Sequence, residues 1–207
     1  LLVTETEYYI NPSVEFKDQP NYFQLPKTVT QTWRKVSSTQ PRHSEVVSTT
    51  YDNFGNVLIQ TNADGVTETY TWYDKNGEEG CPADPQQFVR NLKSKTVTPA
   101  PSAYGDAPTL QHRYSYTAHE GLNGSQPWLA MSEETLTQVS KGDASAVLRT
   151  ITHEYQNDLD DPLLYGLIRK MTLTVNDQID SSTTTTYDYD FAHSRHANVM
   201  ARRTVST

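Results

Sequence analysis

Apolar and aromatic residues recur along this chain at every second position in short runs, and almost never at the three-to-four spacing of an amphipathic helix. The run Val66-Thr67-Glu68-Thr69-Tyr70-Thr71-Trp72-Tyr73 is typical. As a strand it sends Val66, Glu68, Tyr70 and Trp72 to one side and Thr67, Thr69, Thr71 and Tyr73 to the other. A face mixing Glu with aromatics and a face of Thr suit a sheet wetted on both sides. The run Thr183-Thr184-Thr185-Thr186-Tyr187 has the same β-branched and aromatic character. The only helix candidates are short, at 85–90 and 157–162. The pattern predicts an all-β chain of tandem antiparallel β-hairpins.

The strands fall into a repeat. Each unit is a strand rich in Thr and Tyr, a variable loop, and a return strand carrying Lys or Arg with Thr. The units run approximately over 1–35, 44–62, 66–100, 109–140, 146–176 and 181–207, a single repeat region across the whole chain. The clearest turn is Tyr51-Asp52-Asn53-Phe54-Gly55-Asn56. Asp52 to Gly55 fits a type I turn, in which Asp bonds its own backbone and Gly takes a positive φ cheaply. Asp64-Gly65 is a strong hairpin signal, joining 57–61 to 66–74. A second Tyr-Asp pair, Tyr73-Asp74, then opens a longer loop through Gly77, Gly80, Cys81 and Pro82.

Composition sharpens this picture. Of 207 residues, 35% are hydrophobic and 20% charged, against an average apolar share of about 45–50%. The 13 Tyr, 5 Phe and 3 Trp separate the chain from disordered sequences. A thin-cored structure is expected, in which small cross-strand contributions of about 0.2–1 kcal/mol per pair accumulate along a ladder. The net charge of -8 argues against a nucleic-acid partner, which calls for a basic stripe. No stretch approaches the roughly 18 apolar residues of a membrane-spanning helix, so no membrane insertion is expected. A single Cys81 rules out an internal disulfide. The start lacks an initiator Met and a signal-peptide pattern, and the end stops within a predicted strand, so a piece of a longer chain is expected.

Tyr51-Asp52-x-x-Gly55-Asn56, with Gly65 and then Tyr73-Asp74, resembles the YD repeat of RHS (rearrangement hotspot) proteins. More degenerate units around 88–93 and 129–134 resemble the large RHS proteins of insecticidal toxin complexes and polymorphic bacterial toxins. The resemblance implies a strip of a hollow shell of β-hairpins that scaffolds and encloses a C-terminal toxin domain. It implies as partners the remainder of the parent polypeptide, its enclosed cargo and other toxin-complex subunits, and a secreted or cell-surface location. Several units depart from the pattern: Tyr155 is followed by Gln156-Asn157-Asp158, and Tyr116 by Thr117-Ala118-His119. The family's self-cleaving aspartyl protease motif has no counterpart here, nor does a following toxin domain, so neither cytotoxicity nor autoproteolysis is expected of this piece. Tyr51, Asp52, Gly55, Asn56, Asp64, Gly65, Tyr73 and Asp74 are assigned as structural turn residues.

The chemical candidates are weak. His193 and His196, with Asp188 or Asp190, lack a third His for a metal site. Asp158, Asp160 and Asp161 lack the Gly and closing Glu of an EF-hand and read as a solvated turn before Pro162. Glu133 and Glu134 are strand neighbours facing opposite sides, and Glu78-Glu79 is a charged loop. Gly124-Ser125 is no nucleophile elbow, and Cys81 has no partner base. A non-enzymatic protein without cofactor is expected. The alternative is a carbohydrate- or cell-surface-binding module that stacks a glycan on Trp33, Trp72, Trp128 and exposed Tyr, against which stands a packing role for these rings between hairpins. Open sheet edges would let an isolated strip self-associate.

Overall fold

The computed structural model describes residues 1–37, 40–102, 107–139, 145–175, 181–190 and 202–206. They form twelve strands: β1 (Leu2–Tyr8), β2 (Pro26–Arg34), β3 (Pro41–Tyr51), β4 (Val57–Thr61), β5 (Thr67–Trp72), β6 (Leu92–Thr98), β7 (Thr109–His119), β8 (Trp128–Val139), β9 (Ala146–Tyr155), β10 (Ile168–Val175), β11 (Ser181–Asp190) and β12 (Arg202–Ser206). Among the described residues, helix is confined to single 3₁₀ turns at Phe16–Asp18 and Leu122–Gly124. The two helix candidates of the sequence form turns instead. In each, Asp side chains bond the backbone locally and compete with helix formation.

The chain packs as two compact units. The first comprises Leu1–Trp72 and Ser94–Leu110, the second Tyr73–Lys93 and Gln111–Thr207. Within each, strands are hydrogen-bonded in chain order and the pairings described are antiparallel, so each is an open sheet of tandem hairpins. Short connections between sequential strands favour this arrangement.

Register sorts the side chains into two faces. In the first unit Thr28 pairs with Ser48, Ser48 with Thr61, and Thr61 with Thr67, forming a hydroxyl row across four strands. In the second, Thr152 pairs with Glu133 and Thr172, and Thr172 with Thr184; a parallel row runs Thr135–Thr150–Thr174–Ser182. Neighbouring hydroxyls bond at 3.3 Å between Thr172 and Thr184 and at 3.5 Å between Thr61 and Thr67. Nine described threonines thus share these rows. In the first unit, the opposite face of β5 carries Glu68 and Tyr70, with the Lys95 ammonium 2.8 Å from Glu68 and 5.6 Å from the centre of the Tyr70 ring.

Little of the described chain is buried. Tyr73, Cys81 and Ala130 are the buried apolar residues, with Asp84, Ser94, His119 and Thr185 the buried polar ones. A recurring aromatic contact accompanies the backbone ladder. In the hairpin β2–β3 the Tyr51 hydroxyl donates to the Pro26 carbonyl at 3.1 Å. In β4–β5 the Trp72 indole N–H donates to Val57 at 2.8 Å. Tyr116 donates to Leu92 from β7 to β6, Tyr155 to Met131 from β9 to β8, and Tyr189 to Ile168 from β11 to β10. Each ring sits near the end of the second strand and reaches a carbonyl near the start of the first. The five contacts clasp five hairpin mouths.

Tyr155→Phe keeps the ring and leaves the Met131 carbonyl without its donor. It should cost about 1–3 kcal/mol and lower the melting temperature by several degrees. Gly55→Val, at φ +86°, should do at least as much, because a β-branched residue is strained there. Thermal unfolding followed by circular dichroism measures both; unchanged melts would remove the clasp and the turn as stabilising features.

Candidate functional site

Three local arrangements bear on function. The first is formed by the turn residues singled out in the sequence. Asp52 Oδ1 accepts from the Phe54 and Asn56 N–H groups, and Oδ2 from the Asn56 side chain. The Gly55 N–H returns to the Asp52 carbonyl, and the Asp52 N–H donates to the Asn56 carbonyl. The turn over 62–66 has the same backbone bonds: Gly65 N–H to Asn62 and Asn62 N–H to Val66. The hairpin holding Asp64-Gly65 therefore closes over five residues starting at Asn62, not over the Asp-Gly pair alone. Asp64 accepts from the Val66 N–H, and Gly65 sits at φ +85°. Asp74 accepts from the Asn76 N–H while the Gly77 N–H returns to the Asp74 carbonyl. Each carboxylate is engaged with its own backbone, a turn-forming arrangement.

The second arrangement is the loop 73–91 of the second unit, which holds the most enclosed groups in the described chain. Tyr73 is 5% exposed, Cys81 2% and Asp84 1%. The Tyr73 hydroxyl donates to the Tyr114 carbonyl, and its ring meets Tyr116 edge-on. Gly80 lies against that hydroxyl: a Cβ there would come within 2.5 Å of it. Asp84 accepts from the Gln86 and Phe88 N–H groups and pairs with Arg90 at 2.8 Å. Burial pushes its carboxyl up, but these bonds outweigh burial and hold it below the ordinary value. Burial also pushes the Cys81 thiol up to about 11 and the Tyr116 hydroxyl up to about 12. A thiol so protonated is a poor nucleophile at neutral pH. Asp84 carries no signal in the sequence beyond its place four residues before Phe88, since a carboxylate that organises a loop looks there like any solvated Asp.

The third arrangement is an open cleft of about 800 Å³ in the second unit. His119 and His153 line it, with Tyr155 and Tyr165 among the walls. His119 is 6% exposed. Its ring stacks on Trp128 with centroids 4.5 Å apart and meets Tyr155 edge-on at 5.1 Å. The hydroxyls of Tyr155 and Tyr165 are spent on the Met131 and Glu120 carbonyls. Two enclosed ring nitrogens, His119 Nε2 and His153 Nδ1, have no hydrogen-bond partner. At the rim Glu154 pairs with Arg169 at 2.6 Å and Lys170 at 3.0 Å. Sequence reasoning passed over both histidines, because nothing in their spacing separates them from the other four.

The remaining candidates separate clearly. His193 and His196 lie outside the described residues, as does the side chain of Asp190. Among the described residues no group of three or more His, Cys, Asp or Glu is placed to hold a metal ion. Asp158 accepts from the Asp160 N–H, a turn closing its own backbone. Glu134 engages His112 and Arg149, whereas Glu133 bonds Thr135. Of the tryptophans, Trp72 is held by Val57, and Trp128 stacks on His119 and lies close to Gly166, where a Cβ would come 2.8 Å from its ring. Trp33 is tilted against His43 and half-buried. The described helices include none long and apolar enough to cross a membrane.

Burial lowers the His153 imidazole below its ordinary range, and the nearby Glu134 opposes this only in part. The neutral ring is therefore favoured in the folded state. Its contribution to stability is whole above about pH 6.5 and is lost as pH falls through the lowered value. Imidazole NMR should place the His153 midpoint below that of a free histidine, and His153→Phe should flatten the acid limb of the stability profile; a midpoint at or above the free value would contradict the burial. No protein-family model matches this chain and no curated protein matches it, which leaves its geometry and sequence pattern to carry the functional reading.

Proposed function

We propose that this chain is a non-catalytic wall segment of an RHS-type toxin protein, whose task is to scaffold and enclose a C-terminal toxin domain. The observation that carries this reading is the repetition of one aromatic clasp at five successive hairpins. Its donor and acceptor are 21–25 residues apart in four of them and 15 in the shortest. A module that closes its own mouth and hydrogen-bonds its neighbours on both sides can be added repeatedly without a central core. The wall acts by steric isolation, with backbone ladders in place of a catalytic constellation. The Thr rows offer hydroxyls to water on one side of each sheet, and the net charge of -8 favours solubility of a large assembly. The partners are then the rest of the parent polypeptide, its cargo and neighbouring toxin-complex subunits, and the parent works outside the cell that makes it.

The gene surrounding the codons for Leu1 and Thr207 should encode more Tyr-Asp hairpins, followed by a C-terminal domain of unrelated sequence. Electron cryomicroscopy of the full-length product should reveal a closed wall around internal density, with that density resisting protease until the wall is breached. A full-length product with no enclosed volume would overturn the reading.

A further inference from the structure

Strand β1 stands at one end of the strand order, and its outer side has no partner among the described residues. Register decides which backbone groups it leaves bare. The Leu1 amino nitrogen donates to the Arg34 carbonyl at 2.9 Å, and the Arg34 N–H returns to the Leu1 carbonyl at 3.0 Å. The pairing continues in step through Val3–Thr32, Glu5–Thr30 and Glu7–Thr28. Hydrogen-bonded pairs alternate in an antiparallel ladder, so Val3, Glu5 and Glu7 spend their backbone groups on β2. Leu2, Thr4 and Thr6 turn their N–H and C=O groups outward, and all three are exposed. Edge strands are ordinarily blunted by Pro, Lys or a bulge. From Leu2 to Glu7 this one has none of them; its irregularity comes only between Glu7 and Tyr8.

Side-chain chemistry narrows what such a ladder takes. β1 and β5 share a Thr-Glu-Thr run, Thr4-Glu5-Thr6 and Thr67-Glu68-Thr69. In β5 the Glu68 carboxylate holds the Lys95 ammonium of the next strand at 2.8 Å. In β1 Glu7 holds Lys27 of β2 at 2.8 Å, whereas Glu5 is exposed and has no ion pair among the described residues. Because Glu5 bonds its backbone to β2, its outer neighbour takes a non-hydrogen-bonded position, where facing side chains come closest. A second copy of β1 is a poor occupant. The register that overlaps the strand fully with itself sets Glu5 directly against Glu5, and like charges there are destabilising. A cation is the complement.

We propose that the outer edge of β1 receives an antiparallel strand with Lys or Arg opposite Glu5 and short or β-branched residues opposite Thr4 and Thr6. The chemistry of this partner stands apart from the wall reading. Its source rests on that reading: the strand belongs to the adjoining hairpin of the parent polypeptide. Sequence of the required kind exists in β6, Leu-Lys-Ser-Lys-Thr-Val-Thr, which is committed to its own place in the sheet. As a free peptide laid antiparallel on β1, it would set the Lys95 equivalent against Glu5, with its Ser and first Thr against Thr6 and Thr4.

The test uses the 207-residue chain and two synthetic peptides, Leu-Lys-Ser-Lys-Thr-Val-Thr and Leu-Lys-Ser-Glu-Thr-Val-Thr. In the free chain, amide hydrogen exchange should be fast at Thr4 and Thr6 and slower at Val3 and Glu5, whose N–H groups bond β2. The first peptide should slow exchange at Thr4 and Thr6 saturably in the millimolar range and leave Val3 and Glu5 as they were. The second should bind about fivefold more weakly, an attraction lost and a repulsion gained at one cross-strand pair. Glu5→Lys should invert the preference between the peptides; the comparison on the unaltered chain needs no variant. The proposal is overturned if neither peptide protects Thr4 and Thr6, or if both protect them equally. It is equally overturned if protection appears without peptide and grows with chain concentration, since a second copy is then the occupant. None of these readings depends on whether the full-length product encloses a volume, so failure here and failure of the wall reading are told apart.

Discussion

The backbone ladder gives each hairpin its hydrogen bonds, but a ladder by itself does not say where a hairpin ends. That limit is supplied by an aromatic donor at the end of the second strand, bonded to a carbonyl near the start of the first. Tyr51, Trp72, Tyr116, Tyr155 and Tyr189 all do this. An unpaired carbonyl at the mouth would otherwise compete for water as the strands fray. The ring covers apolar surface while its polar tip satisfies the backbone, so one side chain performs two tasks that a compact domain divides between core and caps. With so few buried apolar residues, the sheets depend on these repeated local closures.

The two faces of each sheet divide the remaining work. Threonine rows pair hydroxyl with hydroxyl across strands, fitting a pleated surface. The opposing faces carry rings and ion pairs such as Glu68–Lys95. The deepest burial lies off the strands, in the loop that bears Tyr73, Cys81 and Asp84, where Gly80 permits the Tyr73 hydroxyl to approach the backbone. In the second unit, this folded loop supplies three of the six buried described residues, the strands His119, Ala130 and Thr185.

The all-β strands and the glycine turns were legible in the sequence, because alternation and Asp-x-x-Gly are local signals. Gly55 and Gly65 both occupy positive φ, each at the fourth place of its own turn, 52–55 and 62–65. The five-residue span at 62–66 was not legible, since Asp-Gly is compatible with a shorter turn and only the backbone pairing of Asn62 with Val66 decides the matter. Tyrosine recurrence could be read, but not its purpose: Tyr155 and Met131 lie 24 positions apart. The cleft was illegible for a deeper reason. His119 and His153 sit on strands joined only through the register of the sheet, and an orphaned ring nitrogen is a property of surroundings rather than of sequence. Assigning the chain to the RHS proteins rests on the Tyr-Asp pattern and remains a proposal.

The clasp also restricts how such hairpins can change length. Lengthening one strand by a single residue would turn its terminal ring to the other side of the sheet, away from its carbonyl. Growth by two residues in each strand preserves the facing, as does growth in the connecting turn. Viable length variants of this chain are therefore expected to differ by even steps within strands and by any number at the tips. The hairpin tips, not the mouths, are where foreign segments can be grafted.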